Sequence, residues 1–234
     1  MRTKKSTITT SFLIVLLIAS TGLVMAESST KTKASPVIKL PPPTLSGKSS
    51  FEEMLQKRRS VREYSGKSLK LNEISQILWA GQGITSPYGM RTAPSAGALY
   101  PMELYLLAAH VDGLPKGLYR YRQERHDLES VIEGDLRKAL AKAALDQECI
   151  RDSAAAIIIT AVYERTTIKY RDRGFRYVHM EVGHIAQNIY LQAQSLEVGT
   201  VFVGAFHDED VKKILHILEE PLGIMPVGRI RGEK

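Results

Sequence analysis

The segment from Tyr177 to Val198 carries apolar residues on more than one side of a helical wheel. A helix of that character cannot lie on a surface; it must be enclosed by the rest of the fold or shared between subunits. Leu104 to Val111 is a continuous apolar run, and Ala154 to Tyr163 contains Ile157, Ile158, Ile159 and Val162. Both predict buried strands. Gly117 to Arg122 and Asp127 to Val131 predict a strand pair around a turn at Glu124–His126, and Thr200 to Phe206 and Met225 to Ile230 two more strands. Shorter helices are expected over Phe51–Lys57 with Ser50 as cap, over Leu71–Ala80 ended by Gly81 and Gly83, over Leu136–Gln147 and over Asp208–Leu218. Helices and strands mix without a regular βαβ repeat, so the fold class is α+β rather than a doubly wound sheet.

Not all 234 residues belong to that fold. Residues 1–26 begin with Arg2, Lys4 and Lys5, continue through an uncharged apolar stretch and end in small residues at Ala26. This is the pattern of a secretory signal peptide. An uncleaved N-terminal membrane anchor is the alternative, because no residue from Ser6 to Ala26 is charged. Either way the folded part is expected to be exported. Residues 27–49, rich in Ser, Thr, Lys and Pro, read as a linker. Residues 50–234, about 185 in all, suffice for one domain with its own core. The lone Cys149 excludes an intramolecular disulfide and reads as a small buried hydrophobe. Net charge is +7, and +4 once Arg2, Lys4 and Lys5 are set aside. With 7% aromatics and no aromatic-basic interleaving, the chain is not read as a nucleic-acid binder.

Several chemistries are excluded by missing motifs. No GxGxxG follows a strand, and there is no Walker loop, GxSxG elbow or HExxH. His179 and His184 are five apart, on different sides of a helix, so no shared metal is expected. What remains is Arg58-Arg59-Ser60-Val61-Arg62, with three guanidiniums in five residues. It reads either as a solvated basic turn or as an anion clamp, since the guanidinium fork matches phosphate oxygens. Arg229 and Arg231, two apart in a strand-like segment, face one side and would join that clamp if the chain ends meet. About thirty residues after the basic run, Pro94-Ser95-Ala96-Gly97 offers small residues where backbone can approach a flat ligand.

These segments resemble the signature of the nitroreductase family, in its SagB-type dehydrogenase branch. The Arg58–Arg62 run resembles the segment whose Arg and Ser side chains hold FMN, and Pro94–Gly97 the loop along the isoalloxazine. His179-Met180-Glu181-Val182-Gly183-His184-Ile185-Ala186-Gln187-Asn188 is similar to that branch's long central helix. Val201 to Asp208, including Val203 and Gly204, resembles the strand and loop closing over the flavin, and Pro226-Val227-Gly228-Arg229 the closing strand. The resemblance implies a mixed, largely antiparallel sheet flanked by helices, with the long helix at a homodimer interface. It also implies FMN held by Arg58, Arg59, Ser60, Arg62, Pro94, Ser95, Ala96, Gly97, Val203 and Gly204, with Arg229 and Arg231 as further candidates.

Adjacent Lys169 and Tyr170 resemble the catalytic pair of azoline-oxidising members, which aromatise heterocycles in modified peptides. A lysine serves as base where burial or nearby guanidiniums lower its pKa. The alternative places Lys169 among Arg165, Arg171 and Arg173 in an exposed connector. Tyr100 and Tyr163 read as packing residues, and His184 and Asn188 as structural. The expected activity is an FMN-dependent dehydrogenase acting by hydride transfer on a small molecule or peptide, with oxygen or a quinone as electron acceptor. The rivals are a nitro- or quinone-reductase with NAD(P)H as donor, and a flavin-binding scaffold without turnover.

Overall fold

The computed structural model describes residues 35–232. The expected signal or anchor and the first part of the linker lie outside the described residues. In chain order the elements are β1 (Val37–Lys39), α1 (Phe51–Lys57), β2 (Leu69–Lys70), α2 (Leu71–Gln82), a 3₁₀ turn at Ala96–Ala98, β3 (Met102–Ala108), β4 (Val111–Asp112), β5 (Gly117–Arg122), β6 (Asp127–Glu133), α3 (Arg137–Ala143), α4 (Glu148–Arg151), β7 (Ala155–Ala161), α5 (Glu164–Tyr170), α6 (Arg173–Ser195), β8 (Val198–Thr200), α7 (Asp208–Leu215) and β9 (Glu220–Arg229).

Seven strands form one sheet in the order β1-β6-β5-β3-β7-β9-β8. Every neighbouring pair in it is antiparallel; the parallel pairing is confined to the two-residue ladder β2–β4. β3 and β7 lie at its centre and are buried along their whole lengths. Their side chains alternate between two apolar layers. Leu104, Leu106, Ile157 and Ile159 face α2 and α6, through Ile74, Ile77, Leu78, Ile185 and Ile189. Leu107, Ile158 and Ile224 face the opposite layer, where Leu140, Ile150, Val211 and Leu215 come from α3, α4 and α7. Cover on both faces is why these strands read as unbroken apolar runs rather than alternating ones. Cys149 is buried in the second layer, as expected, and burial pushes its thiol up.

The expected architecture is present, with differences at its margins. The linker was expected through residue 49, yet β1 adds an edge strand on β6 and Leu40 enters the core at 3% exposure. Thr44 N–H donates to the Gln76 side chain at 2.8 Å, fastening the proline stretch to α2. Ser50 caps α1 by accepting from Glu53 N–H. Gly81 does not stop α2; it lies inside it, where a Cβ would come 3.2 Å from Leu104, so it permits close packing of helix on sheet. The predicted strand Thr200–Phe206 is only the end of β8 followed by a single bridge from Val203 to Ile224. The connector around Lys169 is a helix, α5, and α6 begins before Tyr177.

Candidate functional site

Helix α6 is the element that joins the predicted site segments. From Glu181 to Tyr190 it rises ~14 Å. The small-residue loop meets one end of that span and the basic run meets the other.

At the far end, Tyr190 is the meeting point. Its hydroxyl accepts from Phe202 N–H at 2.7 Å and lies 3.1 Å from Ser60 Oγ. The Arg58 guanidinium sits 5.1 Å from the centroid of the Tyr190 ring, a cation–π distance. Val61 N–H donates to Thr200 O at 2.9 Å, laying the basic run along β8. Val203 follows directly, paired with Ile224 in both directions at 2.8 and 2.9 Å, and Gly204 is exposed beside it. Ser60, Arg58, Phe202 and Val203 are thus brought together by one tyrosine.

The basic run is less uniform than its sequence suggests. Arg59 turns back onto the carbonyls of Gln56 and Arg58 at 2.9 and 2.8 Å. Arg58 and Arg62 have no carboxylate partner among the described residues. The chain ends do meet, through Ser65 N–H to Arg229 O and a bridge from Tyr64 to Ile230. The five-guanidinium clamp does not form, however. Arg229 Nη2 lies 2.6 and 2.7 Å from the two oxygens of Glu73, and Arg231 pairs with Glu63 at 3.2 Å. Glu73 also accepts from Lys70 N–H at the start of α2, so Arg229 serves a structural knot.

At the near end the loop is held in a tight shape. Ser95 Oγ accepts from Tyr100 N–H at 2.9 Å. Gly97, Ala98 and Tyr100 all have positive φ, at 64°, 54° and 45°. Two non-glycine residues in that region within one turn mark a backbone held by its surroundings. A Cβ on Gly97 would come 2.8 Å from the Tyr170 hydroxyl and 3.1 Å from Lys169 Nζ. The residue without a side chain is therefore what lets the Lys169-Tyr170 pair close on the loop. Lys169 is exposed, with Nζ 5.4 Å from the Tyr170 ring centroid, and Tyr170 stacks edge-on against Tyr177 at 5.0 Å.

The inner side of the loop rests on α6. His184 Nδ1 lies 3.3 Å from Pro94 O, and Asn188 Nδ2 donates to Thr92 O at 3.4 Å. Both side chains thus meet the backbone of the loop. Tyr100 lies under the Arg91 guanidinium at 4.6 Å, and the Tyr163 hydroxyl is 2.6 Å from His179 Nε2. Among the described residues no cluster of His, Cys, Asp and Glu is arranged to hold a metal, and no helix is long and apolar enough to cross a membrane.

Two residues of this arrangement escaped sequence reasoning. Tyr190 reads as one more apolar position, four after Ala186. Glu181 carried a usable signal, since it interrupts the buried stripe of Val178, Ile185 and Ile189 at helical spacing. It is 2% exposed, and its Oε1 has no partner. Burial pushes its carboxyl up to about 7, against weaker opposing pulls from the Ser95 hydroxyl and the Arg91 charge.

The sequence profile of the nitroreductase family matches residues 55–229. MJ1384 of Methanocaldococcus jannaschii, named as a nitroreductase-family protein, is 53% identical over 179 residues, covering 76% of this chain and 90% of that one. McbC of Escherichia coli, a microcin B17-processing protein, is 27% identical over 175 residues; the match covers 71% of this chain and 64% of McbC, just under two thirds of its length. Among solved structures, a nitroreductase-family protein of Ralstonia eutropha JMP134 superposes with a TM-score of 0.74 at 27% identity, covering 84% of this chain and 90% of that one. The chain belongs to the nitroreductase family of oxidoreductases, and its likeness to McbC agrees with the SagB-type branch read from its motifs.

Proposed function

We propose that this protein is an FMN-dependent oxidoreductase that moves hydride to and from flavin N5 on a small-molecule or peptide substrate. The observation that carries the reading is the Gly97 turn. It is a strained small-residue loop with Lys169 and Tyr170 against one side, and α6 leads from its other side to the unneutralised Arg58.

The residues present fit the cofactor. A phosphate needs cationic donors that are not already spent, and Arg58 and Arg62 have no acidic partner among the described residues. The Ser60 hydroxyl stands beside them, oriented by Tyr190. A planar ring system needs a shelf that backbone forms closely, and the Pro94–Gly97 loop supplies it. Backbone at Val203 and Gly204 would flank it from the β8 side. Bound FMN supplies the two-electron redox chemistry.

The chain's own residues then have separable duties. Arg58, Ser60 and Arg62 bind and fix the phosphate end. Tyr190 orients Ser60 and holds Phe202 N–H, tying the closing strand to the same point. Lys169 Nζ takes the proton that the substrate loses as it is oxidised, and Tyr170 holds the lysine's approach to the loop. Glu181 and His184 support the loop from below.

Likeness to a microcin-processing protein supports a peptide or peptide-like substrate. The N-terminal reading adds that the enzyme works outside the cytoplasm, with oxygen or a quinone as acceptor. The exposed apolar residues Ile168, Phe175 and Met180 on α5 and α6 support assembly as a homodimer.

Stopped-flow reduction of the purified yellow protein by NADH, NADPH and a panel of cyclic imines tests this reading. Fast reduction by an imine substrate is expected, with Lys169→Ala slowing it about 100-fold or more at unchanged flavin content. Reduction by NAD(P)H alone would make the protein a nitro- or quinone-reductase, and a colourless protein that ignores added FMN would remove the flavin reading altogether.

A further inference from the structure

Behind the Gly97 turn lies a second concavity that the flavin reading does not use. It has a volume of about 530 Å³ and opens between β3, β5 and α5. Its wall is unusually rich in guanidinium: Arg91 from the loop after α2, Arg120 and Arg122 from β5, and Arg165 from α5. Glu103, 6% exposed on β3, is shared between Arg165 at 2.7 Å and Arg120 at 3.2 Å. Asp127 takes Arg122 with both oxygens, at 2.7 and 3.0 Å. Arg91 has the largely exposed Glu124 as its acidic partner, at 3.6 Å, and donates from Nη1 to Gln82 Oε1 at 2.7 Å. Glu129 lies across the strand pair from Arg120 without forming an ion pair with it, so the guanidiniums of the wall are only partly matched. One carboxylate divided between two guanidiniums leaves donors on each unsatisfied, because each fork carries five N–H groups.

A second observation points the same way. Gln123 lines this cleft and is 6% exposed, yet its Nε2 has no hydrogen-bond partner. A buried amide donor without an acceptor is costly. Because Gln123 lines the cleft, a turn of its side chain would bring this donor to an acceptor held there by Arg120 and Arg165. With several carboxylates already around the cleft, a carboxylate monoanion suits it better than a phosphate dianion.

We propose that this cleft is a carboxylate-binding subsite that anchors an acidic side chain or terminal carboxylate of the substrate. It deepens the functional reading above and rests on it for the link to catalysis. That link is helix α5. Arg165 lies four residues before Lys169, so the two occupy neighbouring places on one helix face, ~6 Å apart. Arg165 Nη1 also donates to Tyr100 O at 3.1 Å, at the end of the same strained loop. A carboxylate held in the cleft would set the distance of the attached reacting group from the base.

The test is direct binding, measured by anisotropy with peptides carrying a neutral dye. The probes are tetraglutamate as its C-terminal amide, tetraglutamine amide, tetraalanine with a free carboxylate, and tetraalanine amide. The acidic probe is expected to bind about tenfold or more tighter than its neutral counterpart, with affinity falling as salt rises, since exposed charges are screened. Preference for tetraglutamate assigns the site to side chains; preference for free tetraalanine alone assigns it to chain termini. Arg120→Ala, which leaves Glu103 its Arg165 partner, should abolish the preference. Gln123→Leu changes no charge and should weaken the acidic probe about threefold to tenfold, which decides the matter even if Arg120→Ala fails to fold. Equal binding of charged and neutral probes by the wild-type protein, or an unchanged preference in both variants, would overturn the proposal. Flavin absorbance of the same samples keeps the two readings apart: a colourless protein that still selects the acidic probe refutes the flavin and retains the cleft.

Discussion

Glu181 shows how one side chain can link loop geometry to pH. Its carboxyl is enclosed under Ser95 and pushed up to about 7 by burial. A carboxylic acid whose folded pKa exceeds its unfolded value stays protonated in the native state while the unfolded chain ionises. Its contribution to stability is therefore lost as pH rises from the ordinary glutamate value near 4.5 to about 7, and stays lost above that. The loss is at most about 3 kcal/mol by proton linkage. Glu181→Gln should flatten the stability curve across that window, leaving stability near pH 4.5 little changed and raising it at pH 8. Urea titrations of both proteins at several pH values will show it. Parallel curves for the two proteins would assign the carboxyl no role. The residue scale is also where sequence reasoning stopped short. Lys169, Tyr170, Arg58 and Ser60 could be singled out in the sequence because they lie in segments that resemble family motifs. The partner of Arg229 was not, because Glu73 lies 156 residues away and only the fold brings the two together.

Between elements, α5 and α6 approach each other closely backbone to backbone. Gly174, in the first turn of α6, would place a Cβ 2.9 Å from Thr167 Cα, which is backbone and cannot step aside. Gly174→Ala should therefore push α5 outward and lower stability by about 1–3 kcal/mol, the usual range for overpacking. The displacement would carry Lys169 away from the Gly97 turn, so substrate oxidation should fall while flavin affinity at the Arg58 end holds. Thermal melts and flavin titration of the variant separate the two effects. Element boundaries explain the other gaps in legibility. Strongly apolar β3 and β7 were readable because a continuous hydrophobic run admits few alternatives. β1 was hidden by the prolines that follow it, and the first half of β9 by Pro221 and Gly223, which punctuate a strand in sequence without ending it in space. α5 was masked by its charges, since Arg and Lys at exposed positions serve a helix as well as a connector.

Taken whole, the protein has an apolar layer on each face of one sheet and a candidate site arranged along α6, a helix with one face buried in the core and the other exposed. On the proposed function flavin would bind the folded state alone, so stability should rise with its concentration, by ~2.7 kcal/mol at a hundredfold excess over Kd. Arg58→Ala removes a charge-assisted contact worth about 1.5–3 kcal/mol and should shift the titration midpoint roughly tenfold to a hundredfold. Calorimetric scans at increasing FMN test both. A melting temperature indifferent to FMN in the wild type would mean that the basic run is only a solvated turn. Sedimentation of the same samples gives the assembly state that the exposed apolar residues of α5 and α6 lead us to expect as dimeric.

Helix α5 is only seven residues long, and Arg165 and Lys169 both lie on it. On the roles proposed for them, one wall of the carboxylate cleft and the base would thus be encoded within five consecutive codons. Inserting one residue between them would rotate one side chain about 100° further from the other, since each residue advances the helix by that angle. Exchanging the whole helix would transplant both together. On that reading, changes within α5 would alter substrate grip and proton transfer together, whereas changes at Arg120 or Gln123 would alter grip alone.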